Sequence, residues 1–522
     1  MLPELEKLLV HNLKTPLITM RIIVLSALLL STTIGIAQKG DPATYAKGIT
    51  MGDLKKHLTI VAGPEMEGRE TAMEGQRKAA AYLEAEYKKM GLKPGNGNSY
   101  QAAYPLYQLE LLSSSLSVNG RPFVADKDYA ASVGTIAGGN NTYTEVVFAG
   151  YGISDSTHND YANLDVKGKI VLVLEGMPGG TGNANPRGAG STFAKMATAR
   201  SKNVAGILVV SKAFPRTNPS QTKGNMSLSK PTAEPASAIT ISEDVASALL
   251  GRMSKLTIDQ MAALNKGVYR SELKINADKK VNELESTNVI AVLPGTDKAD
   301  EYVFITSHYD HEGIINGQIY YGADDDGSGT VSVLEIAEAF AAAKKKGDGP
   351  RRTMVFMNVS GEEKGLLGSR YYSEHPIFPL EKTSVDLNID MVGRIDPTYK
   401  GDSMNYVYVI GDDKLSSDLK PITDEVNQKY SNMELDRRFN DPKDPNRFYY
   451  RSDHFNFAAK GVPVIFYFNG THRDYHRPTD TVEKINFDVM EKRARLIYHT
   501  AWVIANKDTM LKRDIPLNMP PR

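Results

Sequence analysis

The chain of 522 residues contains no cysteine. This absence excludes disulfide bonds, thiolate metal ligands and a thiol nucleophile, so any metal site must be built from histidine, aspartate and glutamate. The chain also lacks an excess of charge of either sign, because 62 basic residues are balanced by 62 acidic ones. We therefore expect no nucleic-acid partner.

Long apolar runs are scarce, and one of them lies near the N-terminus. Met20-Arg21 precedes an apolar run over residues 22–30, and small residues follow as far as Ala37. This pattern predicts a secretory signal peptide over residues 1–37, of which residues 1–19 are suspected to be spurious. The run is short for a bilayer span, so we expect no stable membrane anchor after cleavage, with an uncleaved N-terminal anchor as the alternative. An exported chain without disulfides suits a secreted or periplasmic bacterial protein.

The length predicts more than one domain. Residues 38–130 begin with amphipathic helical segments and continue as short strands, two of which are joined at Asn119-Gly120. Residues 131–283 form a strand-helix-strand pattern with a long Gly-rich loop, which is enough for a small domain of its own. Residues 284–510 alternate short apolar strands with amphipathic helices. This alternation predicts an α/β fold with a mostly parallel or mixed central sheet sandwiched by helices.

Histidines and acids follow the predicted strands of the last segment. In open α/β sheets, ligands bind beyond the carboxyl ends of the strands, so these positions are expected to converge. Two histidines and three carboxylates suit two divalent metals, with a further glutamate left to act as a base, which is the chemistry of metal-assisted amide hydrolysis. The motifs are Ser307-His308-Tyr309-Asp310, Asp324-Asp325-Asp326-Gly327-Ser328-Gly329, Gly361-Glu362-Glu363, Asp390-Met391 and Tyr475-His476.

Each motif also has a simple structural interpretation. A single histidine at a strand end is more often a structural residue, and aspartates ahead of a helix favour ordinary N-capping. The pair Glu362-Glu363 is typical of a solvated surface. Asp390 is harder to explain, since an acid that ends an apolar strand is costly to bury without a partner. Their coincidence at one predicted rim favours the metal site.

These residues resemble the M28 family of zinc-dependent exopeptidases across residues 286–505. The family's five motifs correspond here to His308-Tyr309-Asp310, Asp325-Asp326-Gly327-Ser328-Gly329, Glu362-Glu363, Asp390-Met391, and Tyr475-His476 followed by Asp480-Thr481. The resemblance implies a two-metal aminopeptidase site in which every ligand position is filled.

The resemblance implies two Zn²⁺ ions and assigns their ligands. His308 and Asp390 bind one zinc, Glu363 and His476 bind the other, and Asp325 bridges both through a loop whose Asp325–Asp326 peptide is expected to be cis. Imidazole nitrogen and carboxylate oxygen are donors that zinc accepts, although cobalt and manganese fit the same set.

The same resemblance gives roles to residues beside the metals. Glu362 is the implied general base, which takes a proton from water and delivers it to the leaving amine. Asp310 is implied to orient His308 through its second ring nitrogen. For Tyr475, donation to the oxyanion and a purely packed aromatic ring both remain open. Asp453 is interpreted as support for the site.

The remaining segments also carry likenesses. Glu67-Gly68-Arg69 resembles the N-terminal part of the same peptidase domain. Residues 131–283 resemble a protease-associated (PA) domain inserted into it, through Tyr151-Gly152-Ile153, Asp165-Val166-Lys167-Gly168-Lys169 and Gly206-Ile207. The catalytic domain would then be discontinuous.

The leading hypothesis is an exported dizinc aminopeptidase acting on peptides. A carboxypeptidase remains open, because four arginines either bind a C-terminal carboxylate or form a solvated loop face; these are Arg437, Arg438, Arg447 and Arg451. A glutaminyl cyclase-like acyltransferase and a non-enzymatic binding module are further alternatives, and the complete ligand set argues against both. Aromatic residues at 448–450 and the loop 469–471 suggest a pocket tolerant of apolar side chains.

Overall fold

The computed structural model describes residues 40–156, 158–179, 188–232 and 236–519. The predicted signal peptide over residues 1–37 lies outside these ranges. Among the helices of the described residues, none has the length and apolar character needed to cross a membrane.

Eleven α-helices are present in the described residues. They are α1 Pro42–Ala46, α2 Met51–Val61, α3 Glu74–Met90, α4 Thr192–Ser201, α5 Glu243–Leu249, α6 Ile258–Ala262, α7 Gly329–Lys345, α8 Leu367–Glu374, α9 Leu419–Tyr430, α10 His454–Ala458 and α11 Phe487–Asn506. Shorter helical turns cover Pro64–Arg69, Ala323–Ser328, Leu380–Lys382, Arg438–Asn440, Phe448–Tyr450 and Val482–Lys484.

The same ranges contain eighteen strands. They are β1 Lys93–Pro94, β2 Gln101–Val118, β3 Arg121–Phe123, β4 Tyr129–Ala130, β5 Gly139–Phe148, β6 Ile170–Leu174, β7 Gly206–Ser211, β8 Lys223–Ser227, β9 Ser237–Ser242, β10 Gly267–Leu293, β11 Lys298–His308, β12 Gly313–Ile315, β13 Gln318–Tyr320, β14 Arg352–Val359, β15 Thr383–Ile389, β16 Tyr406–Ile410, β17 Glu434–Asp436 and β18 Val464–Phe468.

Sixteen of these strands form one mixed sheet. Its main path runs β17-β16-β18-β15-β11-β14-β10-β5-β6-β7-β9-β4. Strands β14, β11, β15 and β18 are parallel to their neighbours within this group, so their carboxyl ends lie along one edge. The predicted α/β fold with a mixed central sheet between helices is confirmed.

Helices cover both faces of the β14-β11-β15-β18 region because successive strand residues point to opposite sides. In β11, Val303 and Ile305 join a core built with α2, α3, α7 and α11. Phe304 between them joins the opposite core, which contains Tyr372 of α8 and Phe457 of α10. The strands are therefore buried on both faces, and their polar groups are left for the strand ends.

Two strands are much longer than the sequence predicts. The prediction of several short strands over residues 100–130 is wrong for the first part, since β2 runs unbroken for 18 residues before the Asn119-Gly120 turn. It pairs antiparallel with β10, which has 27 residues. The polar, charged character of residues 267–288 hides this strand, because only its last residues are buried on both faces.

Strand β10 also joins two groups of strands in the sheet, one that begins at β5 and one that begins at β14. Its first half pairs with β5 and its last five residues pair with β14. The predicted boundary between residues 283 and 284 falls inside this strand. Strands β5, β6, β7 and β9 carry their own apolar clusters on both faces. The division into domains stays a prediction.

Candidate metal centre

The acids and histidines of the predicted site lie along the edge formed by the carboxyl ends of the parallel strands. His308 is the last residue of β11, and Asp390 directly follows β15. Glu362 and Glu363 follow β14 by three and four residues. Asp325 lies in the turn that leads into α7, and its peptide bond to Asp326 is cis, as predicted.

The first group of donors surrounds His308. Its Nε2 atom lies 3.3 Å from Asp325 Oδ1, 3.6 Å from Asp390 Oδ1 and 4.0 Å from Glu362 Oε2. Its Nδ1 atom lies 3.1 Å from the backbone carbonyl oxygen of Asp310. Because a carbonyl only accepts, Nδ1 carries the ring hydrogen and Nε2 presents its lone pair to the carboxylates.

The second group surrounds His476, in the loop after β18. Its Nε2 atom lies 3.1 Å from Asp325 Oδ2 and 3.1 Å from Glu363 Oε2. Asp325 thus presents one oxygen to each histidine group. The five residues predicted as ligands come together, and the arrangement matches a carboxylate shared between two ions.

The donor atoms fit metal ions better than they fit one another. His308 Nε2, Asp325 Oδ2 and Glu363 Oε1 are buried and form no aligned hydrogen bond. Buried polar atoms without partners are costly, and a divalent cation at each group would satisfy them. The chemistry of the set, imidazole and carboxylate without thiolate, suits zinc.

The electrostatics of the centre are dominated by carboxylates. Burial opposes protonation of His476, but Asp325 and Glu363 raise its pKa to about 10. Burial favours the protonated form of Glu362, and the nearby carboxylates of Glu363 and Asp390 act in the same direction. The pKa of Glu362 is therefore raised well above its ordinary value. The centre is therefore a strongly negative, poorly solvated site that attracts cations.

The Asp310 carboxylate contacts the backbone of Glu362 more closely than it contacts the His308 ring. Its Oδ1 atom lies 3.7 Å from His308 Nδ1, which the nearer carbonyl of the same residue engages. The carboxylate instead accepts the N–H of Glu362 at 3.2 Å and the hydroxyl of Thr71 at 2.6 Å. Asp310 is fully buried, so these two contacts fix the start of the Glu362-Glu363 segment.

Asp326, which follows Asp325, holds the backbone beside the centre. Asp326 lies within ligand distance of His308 and Asp390, but its Oδ1 atom accepts the N–H groups of Gly329 at 2.8 Å and Met391 at 3.0 Å. Asp453 is fully buried, and burial raises its pKa to about 7.

Sequence reasoning missed two contributors. His311 is buried, with Nδ1 at 2.8 Å from Glu363 Oε1, and Asp480 accepts the backbone N–H of Asp325 at 3.2 Å. His311 follows His308 by only three residues, so its position in the sequence could have indicated that it belongs to the site. Asp480 was noted as part of a motif, without a role.

A pocket opens beside Glu362, Asp325 and Asp390. Its other lining residues are Met391, Phe448, Arg451, Phe466, Phe468, Thr471 and Tyr475. Arg451 donates from Nη2 to the hydroxyl of Tyr475 at 3.1 Å. The predicted pocket near residues 448–450 and 469–471 contributes Phe448 and Thr471. Apart from the three carboxylates and Thr471, the lining is apolar and aromatic with one cation.

Of the four arginines considered for a carboxylate site, three have other contacts. Arg437 is paired with Asp412 at 2.8 Å and Asp424 at 2.6 Å. Arg438 is paired with Asp436 at 2.5 Å, and Arg447 lies over the ring of Tyr450. Of these four arginines, Arg451 is the one that lines the pocket.

The fold and this edge define an α/β protein with a candidate metal centre at the carboxyl ends of parallel strands. The sequence model of Peptidase family M28 matches residues 288–501, so this segment is similar to that family. The match covers every residue predicted as a metal ligand.

Parts of the chain are also similar in sequence to individual known proteins. The chain is similar to a probable leucine aminopeptidase of Trichophyton verrucosum (strain HKI 0517), 29% identical over 228 residues, or 42% of this chain and 57% of that protein. A probable glutamate carboxypeptidase, AMP1 of Arabidopsis thaliana, is 34% identical over 123 residues, or 23% of this chain and 15% of that protein. The chain thus spans little more than half the length of the first of these relatives.

Among solved structures, the fold is similar to that of an aminopeptidase from Aneurinibacillus sp. strain AM-1. The TM-score is 0.54 at 19% sequence identity, with 92% of this chain and 100% of that chain covered. At this identity the likeness establishes the fold alone.

Proposed function

We propose that the protein is a zinc-dependent aminopeptidase that removes N-terminal residues from peptides, with two ions in the candidate centre. The observation that carries the proposal is the position of Asp325, whose two oxygens lie 3.3 Å from His308 Nε2 and 3.1 Å from His476 Nε2. A shared carboxylate between two histidine groups is the arrangement that a two-metal hydrolase needs.

The residues that would hold the ions are those predicted. His308 and Asp390 belong to one ion, Glu363 and His476 to the other, and Asp325 to both. When bound, zinc would supply Lewis-acid charge for the scissile carbonyl and would make water a better nucleophile near neutral pH.

Glu362 is the proposed general base. It lies at the rim of the pocket, and burial raises its pKa, so it accepts a proton more readily than an exposed glutamate. The proton taken from water would then be delivered to the leaving amine. Asp310 supports this role, since it accepts the backbone N–H of Glu362.

Tyr475 is the proposed hydrogen-bond donor to the oxyanion. Burial and the nearby carboxylates Asp325 and Glu363 raise the pKa of its phenol, so it keeps its proton. The Arg451 guanidinium donates to the phenolic oxygen and leaves its hydrogen free to donate into the pocket. A donor placed in this way stabilises charge that develops on the carbonyl oxygen.

A carboxypeptidase of the same family is the second candidate. The pocket contains the cation Arg451, which is able to pair with a C-terminal carboxylate. The engagement of Arg437 and Arg438 by acidic neighbours weakens this candidate, because it leaves one arginine in place of a cluster.

Export by a signal peptide over residues 1–37 and a PA-like inserted domain over residues 131–283 belong to the same proposal. Both rest on the sequence. In this account the inserted segment borders the substrate cleft and limits which peptides enter.

The test is hydrolysis of aminoacyl p-nitroanilides beside their N-acetylated copies, with peptide products read by mass spectrometry. Activity that requires a free α-amine, disappears with a chelator and returns with Zn²⁺ supports the aminopeptidase. Release of C-terminal residues from acetylated peptides would replace it with the carboxypeptidase. Cyclisation of N-terminal glutamine, or zinc binding without any turnover, would replace it with the acyltransferase or the binding module.

A further inference from the structure

A third histidine lies within the candidate centre. His311 is fully buried, and its Nδ1 atom lies 2.8 Å from Glu363 Oε1 and 3.8 Å from Asp325 Oδ2. The three side chains offer ligand atoms that all lie within 4.8 Å of one another. The ring also lies edge-to-face against His476, at 5.9 Å between ring centroids.

The short contact between His311 and Glu363 is not an aligned hydrogen bond. His311 Nδ1, its Nε2, Glu363 Oε1 and Asp325 Oδ2 are all buried without a hydrogen-bond partner. An imidazole kept from water in this way costs free energy unless something else engages it. The ligand atoms of one metal ion lie close together and do not hydrogen-bond to one another, and these side chains show that arrangement.

The surroundings hold the His311 ring in this position. Its backbone N–H donates to the carbonyl of Arg69 at 3.2 Å. A Cβ at Gly322 would lie 2.5 Å from Cγ of the ring, so only glycine leaves room for it. Arg69 in turn donates to the carbonyl of Gly322 at 2.8 Å, which fixes that glycine against the imidazole.

We propose that His311 is a ligand, through Nδ1, of the ion held by Asp325, Glu363 and His476. The inference rests on the proposed metal site. That ion then has four protein ligands, two imidazoles and two carboxylates. The other proposed ion, beside His308, Asp390 and Asp325, has one imidazole, and Asp326 is a further carboxylate within reach of it.

This difference predicts an order of loading. We expect the first Zn²⁺ ion to occupy the position with two imidazoles and to stay there through dialysis, while the second is lost more readily. Glu362 lies beside the other position, since Glu362 Oε2 is 4.0 Å from His308 Nε2.

The test begins with the unaltered protein. X-ray absorption at the zinc edge counts imidazoles, and with one equivalent of Zn²⁺ the proposal predicts two on that ion, His311 and His476. With two equivalents it predicts three imidazoles for two ions. One imidazole in the first case, and two in the second, would overturn the proposal without involving any variant.

Substitutions give a second, independent readout. In competition with a chelator, H311A and H311Q are both expected to weaken binding of the first Zn²⁺ ion by more than ~100-fold, beyond the ~10–100-fold typical of an outer-shell partner. If H311Q binds zinc with an affinity within ~100-fold of that of the unaltered protein, His311 is an outer-shell residue and the proposal is wrong. Replacing the exposed His375 with alanine is the matched control.

Failure of the metal site itself has a separate signature. Glu363→Ala removes a ligand that the proposed function requires whatever His311 does. If neither the unaltered protein nor this variant binds Zn²⁺ tightly, the proposed function fails along with the inference. Circular dichroism in chelator shows that each variant is folded before zinc is added.

Discussion

The carboxylate of Asp480 holds the backbone of Asp325 in place. Its Oδ2 atom accepts the N–H of Asp325 at 3.2 Å, and that of the preceding Asp324 at 3.0 Å. Because Asp480 is fully buried, these charge-assisted bonds are poorly replaced by water. The position of Asp325, the proposed shared ligand, therefore depends on a residue 155 positions away in the chain.

Asp480→Ala is expected to loosen this segment. We predict a loss of ~2–4 kcal/mol in the free energy of unfolding from two hydrogen bonds to a charged group, and a ~10–100-fold weaker affinity for Zn²⁺. Urea denaturation and zinc titration measure the two effects, with the exposed Asp488→Ala as control. Unchanged zinc affinity in a folded Asp480→Ala protein would contradict this role.

Tyr475→Phe tests the oxyanion donor. The phenol is the group that Arg451 contacts, and its removal leaves the ligands in place. We expect kcat to fall ~10²–10³-fold with zinc content unchanged. Tyr449→Phe is the control, because the Tyr449 hydroxyl is buried without a hydrogen-bond partner and its loss should leave kcat as it was. A kcat within about twofold of the unaltered protein would leave Tyr475 as a packing residue.

Arg69→Lys tests the support beneath the centre. The guanidinium donates to four backbone carbonyls, those of Tyr309, Val61, Tyr321 and Gly322. A lysine ammonium has three donors and cannot copy this planar fork, so at least one buried carbonyl loses its partner. We predict a loss of ~2–4 kcal/mol in unfolding free energy. The exposed Arg77→Lys, in the next helix, should cost almost nothing, and equal losses in both variants would refute the prediction.

A buried acid that is not part of the centre gives a pH prediction. Glu335 of α7 lies 3.5 Å from His57 Nε2, and burial raises the pKa of Glu335 to about 8 and lowers that of His57. The folded protein therefore keeps a proton on Glu335 that the unfolded chain releases near its ordinary pKa. Stability from this group is present at low pH and is lost as pH rises towards the folded pKa.

Glu335→Gln should remove that dependence. Relative to the unaltered protein, we expect the variant to gain on the order of 2 kcal/mol between pH values of about 5 and 8, measured as the difference between denaturation curves. The exposed Glu381→Gln should show a flat difference. A Glu335→Gln variant that becomes relatively less stable with rising pH would show that the carboxylate is ionised and favourable in the fold.

The sequence was informative where local pattern decides the structure. Short apolar runs such as Val385–Ile389 predict strands correctly, since they are buried on both faces, and a strand end is where a residue such as Asp390 must lie. The cis peptide before Asp326 followed from the family resemblance. The five predicted ligands meet because the carboxyl ends of neighbouring parallel strands lie along one edge of the sheet.

Contacts between distant segments were beyond the sequence. The long strand β10 carries lysines and glutamates that resemble a loop, and its pairing with β2, β5 and β14 makes it a strand. His311 was missed because its burial depends on Arg69 and Gly322, neither of which is near it in the pattern. The Asp310 carboxylate was predicted to orient His308 through a ring nitrogen. The backbone carbonyl of Asp310 accepts the hydrogen of His308 Nδ1 instead.

The most direct test of the account is the rate of Glu362→Gln on leucyl p-nitroanilide, with bound zinc counted in the same sample. Glutamine keeps the shape of the side chain but cannot take a proton, so we predict a fall in kcat of at least ~10²-fold with both Zn²⁺ ions retained. The exposed Glu425→Gln should keep full activity. A Glu362→Gln protein that holds two zinc ions and turns over at the original rate would contradict the assignment of Glu362 as the base.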